Sequence, residues 1–154
     1  MKKIANFLAI LLLLIVSACS KNHDYVIYHK FKEQTWARFN VLKFEIPVNA
    51  TEKTYDISLF VSHSRVYEYD TLGFNMIMTT PSGEERIKEY NLEIKRKDGR
   101  FTGQCNNDSC DVSVMLKRDI TLSPGTLTLE IENLVPRLEI KGLLGIGIRL
   151  HPVR

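Results

Sequence analysis

A chain of 154 residues, 44% of them hydrophobic, is long enough to bury the core of one domain. Its formal charge of +3 comes largely from a leader: Lys2 and Lys3 are two of its 21 basic residues, and without residues 1–18 the balance is 19 basic against 18 acidic. A chain so near neutrality offers no electrostatic case for nucleic acid as a partner.

The leader reads first. Lys2 and Lys3 precede an apolar run over residues 7–16, and the whole stretch 4–18 is interrupted by Asn6. It falls short of the roughly 20 apolar residues that a membrane-spanning helix needs. It closes on Val16-Ser17-Ala18-Cys19, an aliphatic residue and two small ones before a cysteine. A plain secretory signal closes on small residues spaced A-x-A. The sequence here resembles the bacterial lipobox, in which the thiol accepts a diacylglyceryl group and becomes the mature N-terminus. A signal peptide is therefore expected over 1–18, a lipidated tether over 19–24 and a single domain over 25–154. More than one acyl chain gives a stable anchor where one alone is marginal.

Beyond the tether, Trp36 lies in the amphipathic stretch TWARFNVLKFEI and reads as a core residue, with a sugar-binding ring as the alternative. From about residue 40 onward the apolar residues alternate with period two. YDISLFV places Tyr55, Ile57, Leu59 and Val61 on one face, and LGFNMIM does the same for Leu72, Phe74, Met76 and Met78. DVSVML aligns Val112, Val114 and Leu116; TLTLEIE aligns Leu127, Leu129 and Ile131; IGIRL aligns Ile146, Ile148 and Leu150. This is the pattern of half-buried antiparallel strands. Turn signals separate them: TTPSGEE, LSPGT, and KRKDGRF with Asp98-Gly99 as a two-residue hairpin signal. The expected architecture is all-β, an antiparallel β-sandwich of jelly-roll or immunoglobulin-like type, with a barrel as the alternative.

Cys105 and Cys110 remain once Cys19 is assigned to lipid. They flank the turn-forming NNDS, and an exported chain permits a disulfide there. A bridge closing so short a loop contributes about 2 kcal/mol and pins a hairpin tip. Free thiols or a metal pair are the alternatives, but the four histidines are too scattered to complete a zinc set. No metal or cofactor is expected.

No catalytic constellation emerges. Glu130 and Glu132 share one strand face, as residues on the polar side of an amphipathic strand do. Ser62, His63 and Ser64 are neighbours whose side chains alternate between faces, and no nucleophile elbow is present. The GIG at 145–147 is followed by no helix, so these glycines suggest a bulge or close packing. Tyr67 and Tyr69 point the same way and are read either as a glycan-binding platform or as core. Asp70-Thr71-Leu72 resembles a short O-glycosylation acceptor of exported Bacteroidota proteins, with Thr71 as the acceptor, but a three-residue match is read first as a loop-to-strand junction.

The succession YVIYHKF, TWARFNVLKFEIPV, TYDISLFVSHSRVYEYDTLGFNMIMTTPSG, GTLTLEIENLV and GLLGIGIRL resembles the GldH-type gliding-motility lipoproteins of Bacteroidota. The resemblance implies an outer-membrane lipoprotein with a β-sandwich domain, associated with motility and secretion machinery through protein contacts. It implies no enzyme. The segment SKNHD after Cys19 offers a single acid, Asp24, which favours the periplasm-facing leaflet over surface export. The expected function is a non-enzymatic envelope lipoprotein, with a glycan-binding lipoprotein as the alternative.

Overall fold

A computed structural model describes residues 23–49 and 53–153. The signal peptide and the lipidation candidate Cys19 lie outside them. Eleven strands make up nearly all of the regular structure: β1 (Tyr25–Lys30), β2 (Thr35–Ala37), β3 (Leu42–Val48), β4 (Lys53–Ser64), β5 (Thr71–Thr79), β6 (Glu85–Glu93), β7 (Gln104–Cys105), β8 (Ser109–Leu122), β9 (Gly125–Asn133), β10 (Glu139–Lys141) and β11 (Leu143–Pro152). A five-stranded sheet runs β1-β11-β4-β8-β7 and a four-stranded sheet runs β3-β9-β5-β6. All their pairings are antiparallel. The third sheet is the short β10-β2 pair. The chain is an all-β sandwich.

The period-two residues meet between the two large sheets. Ile57, Leu59 and Val61 face Leu127, Leu129 and Ile131 in one hydrophobic core, and all six are fully buried. Ile146 and Ile148 join them from β11, and Phe74 and Met78 from β5. In β3, β4, β5 and β9 one face is wet and the other dry, so alternate side chains carry the burial. Glu130 and Glu132 fall on the outer face of the four-stranded sheet, opposite Lys43 and Asn75 respectively. They occupy a solvent-facing row.

One connection differs from expectation, and another crosses between the sheets. Between β6 and the strand-like stretch at Phe101, the chain reverses through three residues, Lys97, Asp98 and Gly99, where Asp98-Gly99 predicts two. The Arg96 N–H donates to the Arg100 carbonyl, and the Gly99 N–H donates to the Arg96 carbonyl. Gly99 has φ 79°. A tight turn followed by a left-handed glycine is the common three-residue solution, and it absorbs the same Asp-Gly pair. The Pro124-Gly125 segment carries the chain from β8 in one sheet to β9 in the other.

Several strands escape the alternation, and β11 is buried on both faces from Gly145 to Ile148. In β6 only Tyr90 and Leu92 are buried, because the strand lies at the edge of its sheet and its first half reaches past the core. In β1 no residue is fully buried. β2 is too short for a period to register.

Candidate functional site

Trp36 and Tyr67 are not surface rings. Trp36 in β2 is fully buried, stacks on Phe31 at 5.4 Å between ring centroids, and donates its indole N–H to the Asn40 carbonyl at 2.7 Å. Burial of an indole requires such a partner. Tyr67 is also buried and donates its hydroxyl to the Thr71 carbonyl at 3.2 Å. Burial, with a smaller contribution from Tyr69, pushes the Tyr67 phenol well above its ordinary range. The chain packs too tightly at Tyr67 for anything but glycine opposite: Gly142 has φ 83°, and a Cβ there would approach the Tyr67 backbone to 3.0 Å. Tyr69 is half-buried and meets the Tyr67 ring edge-on at 5.7 Å. Trp36 and Tyr67 are therefore core residues, as first read, and the alternative of a glycan face built from these three aromatics is set aside. Thr71 is exposed as the first residue of β5.

Cys105 and Cys110 are disulfide-bonded and directly opposite each other in the β7–β8 pair. The loop between them is tied inward. The Asn106 Oδ1 accepts from the Asp108 and Ser109 amides, and the Arg65 guanidinium donates to the Asn106 and Asn107 carbonyls. The bridge holds the tip of the hairpin, where Cys110 is completely buried.

His63 lies inside, against Tyr67 and Phe101, with ring centroids at 5.6 and 4.9 Å. Its Nδ1–H donates to the Ser64 carbonyl at 2.9 Å, and its Nε2 has no partner. Burial lowers its pKa, outweighing the Ser64 carbonyl and the Asp111 charge, which act in the opposite sense. Ser62 points to the other face of β4, so the pair forms no nucleophile and base. Among the described residues, no cluster of three or more His, Cys, Asp or Glu side chains is placed to hold a metal.

Two other features stand out. The first is a groove of about 810 Å³ on the outer face of the five-stranded sheet, lined among others by Tyr28, Phe60, Ser62, Gln104, Asp111 and Arg149. Two glycines of β11 lie under its aromatic side. Gly147 sits between Tyr28 of β1 and Phe60 of β4 in the cross-strand row. Side chains at Gly145 and Gly147 would collide with the Tyr28 and Phe60 rings. With no Cβ there, the two rings settle over β11, nearly parallel (5°) and 5.8 Å apart. The Arg149 guanidinium stands 5.8 Å from the Phe60 ring centre. On the far wall, Ser62 donates to Asp111, and Gln104 is the cross-strand partner of Asp111. Sequence alternation held one clue to this groove: Phe60 is a large aromatic on the otherwise polar side of YDISLFV.

The second feature is the free edge of β1. Among the described residues, only β11 pairs with it. The Phe31 N–H donates to the Leu144 carbonyl. Hydrogen-bonded pairs alternate along an antiparallel ladder, so Tyr25, Ile27 and His29 bond to β11, and Val26, Tyr28 and Lys30 turn their backbone groups outward. Tyr25, Val26 and Tyr28 are exposed at 37%, 48% and 44%. The other edges are guarded. β3 carries Lys43, Glu45 and Pro47, β6 begins Glu85-Arg86-Ile87-Lys88-Glu89, and β7 is two residues long. Charge, proline and shortness are the usual protections of an edge, and β1 has only Lys30. The start of β1 is itself fixed: the Asp24 carboxylate is hydrogen-bonded to His151 and lies 3.6 Å from Arg149.

Among solved structures, the sandwich is similar to part of dimeric latent PorU from Porphyromonas gingivalis, at 8% identity and TM-score 0.41 over 88% of this chain and 14% of that one. It is also similar to TmCBM61 in complex with β-1,4-galactotriose, at 10% identity and TM-score 0.34 over 86% and 80%. Likenesses this loose carry no functional argument. The gliding motility lipoprotein GldH of Flavobacterium johnsoniae is 21% identical over 145 residues, 90% of each chain. The GldH lipoprotein family matches residues 24–150, almost the entire described domain, and the chain belongs to that family.

Proposed function

We propose that this protein is a lipid-anchored, non-enzymatic envelope component that works by protein contact, beside the motility machinery that the name of its Flavobacterium relative indicates. The observation that carries the reading is the unguarded edge of β1 in a chain of this family. An added strand from a partner would satisfy the outward backbone groups of Val26, Tyr28 and Lys30. Acyl chains on Cys19 would hold the domain at the outer membrane, facing the periplasm. β1 begins at Tyr25, six residues along from Cys19, so it would start within about 21 Å of the lipid. Confinement at that distance raises the effective concentration of the edge towards other anchored proteins. Thr71, exposed beside Asp70, is open to an O-linked glycan on the same domain.

Chemical cross-linking of intact cells tests this reading. The wild-type chain should bring down a defined envelope polypeptide, and Cys19→Ser should lose both the membrane association and the adduct. Full recovery of the adduct from Cys19→Ser would contradict it.

A further inference from the structure

The groove on the five-stranded sheet has a chemistry that the edge-contact reading does not use. We infer that it binds a neutral saccharide, stacked on Tyr28 and Phe60 and hydrogen-bonded by Asp111 and Gln104. Its volume of about 810 Å³ lies within the ordinary range of small-ligand sites.

Other ligand classes fit less well. An extended peptide gains most of its affinity from unpaired backbone groups. The groove floor is made by β11, β4 and β8, and each is paired on both sides. An anion needs surplus positive charge. Arg149 is the cation at the groove, it already lies 3.6 Å from Asp24, and Asp111 opposes it on the other wall. A purely apolar ligand would strip water from Asp111, Ser62 and Gln104 and return nothing. A sugar ring meets both demands. Its apolar face covers an aromatic ring, and its hydroxyls both donate and accept, as a carboxylate and an amide beside each other require.

The geometry prepares the site without a ligand. The two rings lie within 5° of parallel and rest on Gly145 and Gly147. Tyr28 remains 44% exposed. Ser62 donates to Oδ1 of Asp111 and thereby fixes the carboxylate, leaving Oδ2 for a hydroxyl. Gln104 is placed by β7, and β7 is held to β8 by the Cys105–Cys110 bridge. The disulfide therefore positions one wall of the groove.

Titration calorimetry tests the assignment on the full chain, purified from membranes in a detergent without a sugar headgroup. The probes are cellotriose, maltotriose and tri-N-acetylglucosamine. At least one should bind saturably. Phe60→Ala should weaken that binding roughly tenfold, the weight of one lost stacking contact, and Asp111→Asn should weaken it as well. Both residues lie on the outer face, away from the core between the sheets, so both variants should still fold, which a cooperative melt with the wild-type circular dichroism spectrum checks. Val26→Pro, which blocks the β1 edge, should bind the sugar unchanged, which separates this site from the edge contact. The proposal is overturned if none of the three probes binds, or if binding survives both groove variants undiminished. It is also overturned if a photo-cross-linker at Ser113 captures a polypeptide in cells that the oligosaccharides do not displace.

Discussion

The ring of Phe60 occupies the space that a side chain on Gly147 would need. The two residues are cross-strand partners in the β11–β4 ladder, at the centre of the five-stranded sheet. Gly147→Val should therefore force the ring outward and destabilise the domain by roughly 1–3 kcal/mol, the usual cost of overpacking. Phe60→Ala in the same chain should recover most of that loss. A double-mutant cycle by urea denaturation measures the coupling, and strict additivity of the two substitutions would show that the residues do not compete for this space.

Trp36 closes the end of the sandwich under the β2–β10 pair, completely buried and hydrogen-bonded to Asn40. Trp36→Ala should cost about 3–5 kcal/mol, a large share of the roughly 5–15 kcal/mol that holds such a domain together. Trp36→Phe should cost less, losing the hydrogen bond and part of the volume. Equilibrium denaturation checks both. A loss below about 1 kcal/mol for Trp36→Ala would place the indole at the surface.

His63 is held neutral in the folded domain, because burial lowers its pKa below the ordinary imidazole value of about 6.5. The unfolded chain therefore takes up this proton first as pH falls. Stability from this residue is complete above the ordinary value and declines as pH drops below it, until the folded pKa is reached. Melting temperature should begin to fall as pH drops through about 6.5, and the fall should be shallower in His63→Phe. Equal slopes in the two proteins would mean that another group drives the loss.

The disulfide should matter locally. Cys105 and Cys110 are five residues apart, so reduction should lower stability by about 2 kcal/mol and leave the sheets intact. Far-ultraviolet circular dichroism should be almost unchanged on reduction, with hydrogen exchange accelerating at Thr102–Ser109. Loss of the whole β signature would make the bridge a condition of folding.

Much of this fold was legible because a sandwich writes its burial into the period of its strands. Leu127, Leu129 and Ile131 alternate without error and are all fully buried. Legibility failed where burial was not periodic. β1 shows no inward stripe because its strand forms the rim of the sheet, and β6 shows one only in its second half. Tyr67 and Trp36 were ambiguous as rings, since an aromatic side chain suits a core and a platform equally well and only packing decides. The groove was out of reach for a different reason. Tyr28, Phe60, Asp111 and Gln104 come from four strands, and only the register brings them together. Its local traces were the Gly-x-Gly of β11 and the misplaced aromatic of β4.

The most direct test of the central claim acts on the outward N–H of Val26. Val26→Pro removes that donor and leaves the β11 ladder whole, so the domain should still fold and remain at the membrane. Val26→Ala trims the side chain and keeps the donor. If the protein works by lending this edge to a partner strand, the cross-linked envelope adduct should disappear in Val26→Pro and persist in Val26→Ala. An adduct of equal yield in both variants would contradict the account.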